Sequence, residues 1–195
     1  MSQISTRITM NTEILCLIDR SGSMSSMINE SVAGYNNFID SQRKLEGSAR
    51  VTLAIFDDRF EYVLKAEPLS TTKDITKAQV KPRGATALQD SLGKLITTES
   101  QRISTEEWAD KVIVVVLTDG EDYSSKVYDQ VSIRALVESY TTRGWDFIFL
   151  GANIDAYSQG SALGITKNIQ YTADKDGMTE AYAQMNRTVT NSRQS

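Results

Sequence analysis

The longest uninterrupted apolar run in the chain is Val112-Ile113-Val114-Val115-Val116-Leu117. It is strand-sized, and without polar residues at alternate positions it has no solvent face, so it reads as a strand buried on both sides, as in a parallel sheet. Ile14-Leu15-Cys16-Leu17-Ile18 reads the same way and places a first strand at Glu13 to Asp19. Parallel strands need long crossovers, usually helical. The first crossover is visible as an apolar stripe, Met27, Ile28, Val32, Tyr35, Phe38, Ile39 and Leu45, which predicts a helix over Met24 to Leu45, weakened slightly by Gly34 and closed by Gly47. Strands at Arg50 to Phe56 and Phe60 to Ala66 are joined only by Asp57-Asp58-Arg59, and so short a link makes that pair antiparallel. The two aspartates could be metal ligands, but turn formation is the better account of them.

Further on, a helical turn is expected around Asp74 to Lys77 and helices at Ala87 to Thr98 and Tyr128 to Thr142. Strands are expected at Trp145 to Leu150 and Ile169 to Thr172, with helices at Ala156 to Leu163 and Met178 to Val189. This mostly alternating order predicts one α/β domain over residues 1–195: a doubly wound, mostly parallel sheet with one antiparallel edge strand and helices on both faces. Residues 1–12 are expected to form a flexible arm and 190–195 a flexible tail.

The chain of 195 residues is long enough for one substantial core. A net charge of −4 and the lack of a Lys/Arg run argue against nucleic-acid binding. The absence of histidine removes the commonest general base and any Ser-His-Asp triad. The single Cys16 lies in an apolar run and reads as a small buried hydrophobe. Residues 1 to 13 have no apolar segment of signal-peptide type, and no run reaches membrane-spanning length. A cytoplasmic protein, monomeric on its own and not bound to membranes, is the expectation.

Three loops carry the chemistry. Asp19-Arg20-Ser21-Gly22-Ser23 follows the first strand, at the carboxyl end where open α/β sheets place their ligand sites. Gly22 allows a tight loop in which Asp19, Ser21 and Ser23 can converge. Thr86 stands in the loop before its helix, and Asp119 follows the Val112 strand directly in Thr118-Asp119-Gly120. Hydroxyls and carboxylates are hard oxygen donors suited to magnesium or manganese, not zinc. Each residue also has an ordinary account: Ser23, Ser25 and Thr86 as helix caps, Asp119 as a cap or turn carboxylate.

Asp19-x-Ser21-x-Ser23, Thr86 within Gly84-Ala85-Thr86-Ala87-Leu88, and Asp119 within Leu117-Thr118-Asp119-Gly120 together resemble the metal-ion-dependent adhesion site of von Willebrand factor type A domains. All five positions are filled, in order and in matching strand contexts, and the resemblance extends over roughly residues 12 to 189. It implies strand order 3-2-1-4-5-6 with the third strand antiparallel. It implies that Ser21 and Ser23 ligate Mg2+ or Mn2+ directly, that Thr86 does so when a partner is bound, and that Asp19 and Asp119 act largely through water.

Neutral hydroxyls and water-screened carboxylates leave such an ion electrophilic, so a partner's carboxylate can complete its octahedron. The expected function is a non-enzymatic, cation-dependent protein-interaction module whose partner presents an exposed Asp or Glu. The competing class is a magnesium-dependent hydrolase or phosphotransferase. Phosphatases of the haloacid dehalogenase type need a second carboxylate two residues after the first, where this chain has Ser21, and a positioned lysine for which the sequence offers no convincing candidate. Dinucleotide binding is disfavoured, because the first loop has no G-x-G-x-x-G pattern. Glu121, Asp122 and Tyr123 lie beside Asp119 and either line the rim of the site or, the preferred reading, form a solvated loop. Asn153 and Asp155 after the fifth strand read as cap residues, with a role behind the ligands as the alternative.

Overall fold

A computed structural model describes residues 10–152 and 154–195. Six strands, β1 (Thr12–Asp19), β2 (Ala49–Phe56), β3 (Phe60–Pro68), β4 (Lys111–Thr118), β5 (Asp146–Gly151) and β6 (Lys167–Gln170), form one sheet in the order β3-β2-β1-β4-β5-β6. β2 and β3 pair antiparallel and all other neighbours pair parallel, as expected. The helices are α1 (Ile28–Arg43), α2 (Leu88–Glu106), α3 (Gln130–Thr142), α4 (Ile154–Ala162) and α5 (Lys175–Arg193). None among the described residues is long and apolar enough to cross a membrane.

The unalternating apolar runs have the two-sided burial their composition requires. Ile14, Cys16 and Ile18 of β1 enter one core with α1 and α5, while Leu15 and Leu17 enter the other with α2 and α3. Burial pushes the Cys16 thiol up to about 12, so it stays a neutral hydrophobe. Gly34 has a packing reason: a Cβ there would stand 2.3 Å from the ring of Tyr182, so its absence lets α1 and α5 approach closely. Glu13 is fully buried in β1 and is matched by Arg50 Nε at 2.7 Å and Arg102 at 3.0 Å.

Several boundaries differ from expectation for local reasons. The helix expected from Met24 is broken into a 3-10 turn (Gly22–Ser26) and α1, because Ser25 Oγ donates to Gly22 O and Met24 N to Ser21 O. No helical turn forms at 74–77. There the side chain of Asn36 bonds both the N–H and the carbonyl of Ile75, and Ile75 and Val80 plug the core. α2 runs on to Glu106, where its last turns carry Arg102 to Glu13 and Glu99. The segment expected to fray after Val189 continues α5 to Arg193, a buried residue whose guanidinium donates to Gln42 O at 2.8 Å. At the other end, residues 1–9 of the expected arm lie outside the described residues, while Asn11 is tied to Asp110 and Lys111.

The pairing register brings the loop-bearing strand ends together. Ile18 stands opposite Leu117, and Asp19 opposite Phe56. The carboxyl ends of β1, β2 and β4 therefore finish level, side by side, on one rim.

Candidate metal centre

Asp19 ends β1 and has no exposed surface. Its carboxylate accepts from Ser21 N–H at 2.6 Å and from Thr118 Oγ1 at 2.6 Å. Burial nonetheless pushes its carboxyl up to about 6, and burial likewise raises that of Asp119. Above Asp19 the hydroxyls form a directed chain. Ser23 Oγ gives its proton to Asp119 Oδ1 at 2.7 Å, so in its 3.0 Å contact with Ser21 Oγ it must be the acceptor.

Thr86 closes the third side. It does not cap α2, whose N-cap position is Ala87 with no side-chain bond. Its carbonyl accepts from Tyr123 N and Ser124 N at 3.0 and 3.1 Å. Its hydroxyl faces Gly120, lying 3.7 Å from where a Cβ on that glycine would stand. The cap readings of Ser23 and Asp119 also fail: α1 is preceded by Met27 with no side-chain cap, and α3 is capped by Asp129. Ser21, Ser23, Thr86 and Asp119 line one open cleft of about 350 Å³ with Glu121 and Tyr123 on its rim, and Asp19 lies beneath. No Lys or Arg lines this cleft, and among the described residues none forms an ion pair with Asp19 or Asp119.

Sequence reasoning missed the groups that hold these loops. Thr118 fixes Asp19 and also accepts from Gly120 N at 3.2 Å. Asp122 is not merely solvated: it accepts from Gln89 N, Ser124 N, Ser125 N and Ser125 Oγ. Asp90 reciprocates from α2, taking the N–H groups of Lys126, Val127 and Tyr128 at 2.8–2.9 Å. With its amide oriented by the surrounding bonds, Gln159 of α4 donates to Gly120 O at 3.2 Å and accepts from Asp122 N at 2.8 Å. The only sequence signal was the chemistry of Asp at a turn and in a first helical turn, which many solvated loops share. Glu121 and Tyr123 face the cleft, with Tyr123 OH donating to Glu121 at 2.9 Å. Asn153 and the side chain of Asp155 lie outside the described residues.

Among the described residues no three His, Cys, Asp or Glu side chains gather into a metal-binding group. The five residues brought together here are two carboxylates and three hydroxyls, an all-oxygen set that fits a hard cation through its chemistry.

No family model matches the chain, and no curated protein matches it. Solved structures do. The minor pilin PilB from Streptococcus sanguinis superposes with a TM-score of 0.70 at 14% identity, over 96% of this chain and 62% of that one. The chain thus spans about three fifths of the pilin's length. The vWF domain of the type V pili tip protein Mfa5 from Porphyromonas gingivalis gives 0.66 at 11% identity, over 94% of this chain and 96% of that domain. The manganese-loaded TRAP protein of Plasmodium vivax gives 0.61 at 15%, over 89% and 72%. At these identities the likeness is one of fold: the chain has the fold of a von Willebrand factor type A domain.

Proposed function

We propose that the cleft binds a divalent cation, magnesium or manganese, and that a carboxylate of a partner protein completes its coordination. The observation that carries this reading is the uncompensated charge of Asp19. A fully buried carboxylate is normally matched by a cation of the protein itself. Asp57, equally buried at the end of the neighbouring strand β2, has Arg20 and Arg83. Among the described residues Asp19 has only neutral donors, and it lies under a cleft lined by the oxygens of Ser21, Ser23, Thr86 and Asp119. A divalent ion held by these five would supply the missing positive charge. With three neutral hydroxyls in the set, it would stay electrophilic toward an incoming carboxylate.

The rim suits protein docking. Tyr123 and Val127 are 76% and 79% exposed, uncommon for residues of their size, and Tyr123 borders the cleft. The neighbours of like fold include pilus proteins and one manganese-loaded protein, which is in keeping with a binding role.

Titration calorimetry with Mg2+ or Mn2+ is expected to detect one site, lost in Asp19→Ala, and capture of partners is expected with Mg2+ but not with chelator. Absence of cation binding, or binding indifferent to Asp19→Ala, would overturn the assignment.

A further inference from the structure

Beside the cleft, on the side away from Asp119, lies a cluster of four charged side chains. Arg20, the residue between Asp19 and Ser21, is 4% exposed, and its guanidinium approaches Asp57 Oδ2 at 2.9 Å and Glu61 Oε1 at 2.7 Å. Arg83, three residues before Thr86, bonds the same two oxygens at 2.8 and 2.6 Å. Two cations and two anions cancel, so the cluster adds no net charge beside the cleft.

Its backbone connections are as specific. Arg20 N donates to Phe56 O at 2.8 Å, Arg83 N to Arg20 O at 2.8 Å, Gly22 N to Gly84 O at 3.2 Å and Ala87 N to Asp57 O at 2.9 Å. Asp57 Oδ1 accepts from Arg59 N at 2.7 Å, which closes the β2–β3 turn. Gly84 has a φ of +69°, and a Cβ there would stand 2.6 Å from Asp58 Oδ1 and 3.2 Å from Asp57 Cβ, so glycine is needed both for its backbone angle and for the close approach. The loop bearing Ser21 and Ser23 and the loop bearing Thr86 come from elements that are not neighbours in the chain. These bonds join the two loops through Arg20, Asp57 and Gly84.

We infer that Asp57, with Arg20, Arg83 and Glu61, is the positioning group that sets the spacing between the Ser21–Ser23 loop and the Thr86 loop. The β2–β3 turn is thereby made part of the cleft's architecture although it supplies no ligand. Burial works to raise the Asp57 carboxyl, but the Arg83 hydrogen bond and its other partners hold it below the usual range, so it is ionised under working conditions. The inference rests on the proposed cation site only for its affinity arm.

The test uses two variants of opposite charge change. Asp57→Asn adds a positive charge to the wall, and Arg83→Gln, at a half-exposed side chain, removes one. If the cluster acted only through its field, Mg2+ affinity would fall in the first and rise in the second. If it positions the loops, affinity falls in both, on the order of tenfold, as for other groups that orient metal ligands. Arg83→Lys, which keeps the charge and loses the fork, is expected to stay weak.

A second arm needs no metal. In chelator, the amides of Gly22, Arg83 and Ala87 are expected to exchange with solvent faster in both variants. The amides of Met185 and Val189, buried in α5 and expected to open only with the whole fold, should be unchanged once corrected for stability. Opposite shifts in affinity, or unchanged exchange at those three amides, would overturn the inference. A wild type that binds neither Mg2+ nor Mn2+ while the amides respond as described would overturn the cation reading and leave the positioning role standing. Should Asp57→Asn fail to fold, Arg83→Gln and Arg83→Lys carry both arms.

Discussion

Asp19 and Asp57 are the instructive pair at the level of single residues. Both are aspartates at strand ends on one rim and both have zero exposure, yet among the described residues one is matched by two arginines and the other by none. The difference predicts a trade of stability against binding. In chelator near pH 7.5, Asp19→Asn removes a buried charge that no protein cation offsets, so its melting temperature is expected to equal or exceed that of wild type while cation binding disappears. A large drop in melting temperature would mean that the Ser21 and Thr118 bonds to Asp19 outweigh its desolvation. Thr86→Ala separates two roles: it is expected to leave Mg2+ affinity within a few-fold and to weaken a partner roughly tenfold or more, the scale of about 1.5 kcal/mol for a contact to a charged group. Equal losses in both measurements would make Thr86 an ordinary metal ligand. The five candidate oxygens could be named from sequence because their types and spacing belong to a known pattern. Arg20, Asp57, Asp90, Asp122 and Gln159 could not, because what they do depends on partners 26 to 40 residues away or farther along the chain.

At the level of elements, the β4–α3 segment has no regular structure of its own and is held by α2. Asp122 reaches the amide of Gln89 while Asp90 reaches three amides of the segment, a reciprocal clasp. Burial tends to raise the Asp90 carboxyl, but those three N–H bonds prevail and lower it from 3.8. A lowered folded pKa stabilises the native state fully above the unfolded value and is lost as pH falls through the folded one. Protection of the 126–128 amides, corrected for intrinsic rates, is therefore expected to hold at pH 5 and to fall below pH 3.8. Asp90→Asn should show weak protection at both, and protection in wild type that did not change with acid would remove Asp90 from the clasp. Gly34 gives a second prediction. Helix propensity alone favours Gly34→Ala by about 1 kcal/mol, but the new Cβ would meet the Tyr182 ring at 2.3 Å. Overpacking of that kind costs about 1–3 kcal/mol, so a net loss of melting temperature is expected. Sequence periodicity found both partner helices but read this glycine only as a weakness, because a helix pattern shows which face is buried and not how closely its neighbour approaches.

For the whole molecule, the doubly wound, mostly parallel sheet with one antiparallel pair followed from apolar runs and link lengths, while the strand order β3-β2-β1-β4-β5-β6 was legible only through the family resemblance. The element ends were less legible: α2 and α5 run longer than expected because Arg102 and Arg193 find partners on other elements. The same architecture bears on what a metal would contribute. Two apolar cores flank the sheet, and neither includes any of the five candidate ligands. The proposed cation site would sit at the rim as an addition to a fold already closed by its own packing, in contrast to domains whose metal supplies the folding energy. Chelation is accordingly expected to leave the far-ultraviolet circular dichroism spectrum unchanged. The melting temperature should depend on cation concentration by mass action alone. At a hundredfold excess over Kd the stabilisation is about 2.7 kcal/mol, or roughly 5–10 °C for a domain of this size. Asp19→Ala should show none of that dependence and should melt near the chelated wild type. Loss of helical signal on chelation would show instead that the three loops are needed to close the sheet, and that the site belongs to the folding core.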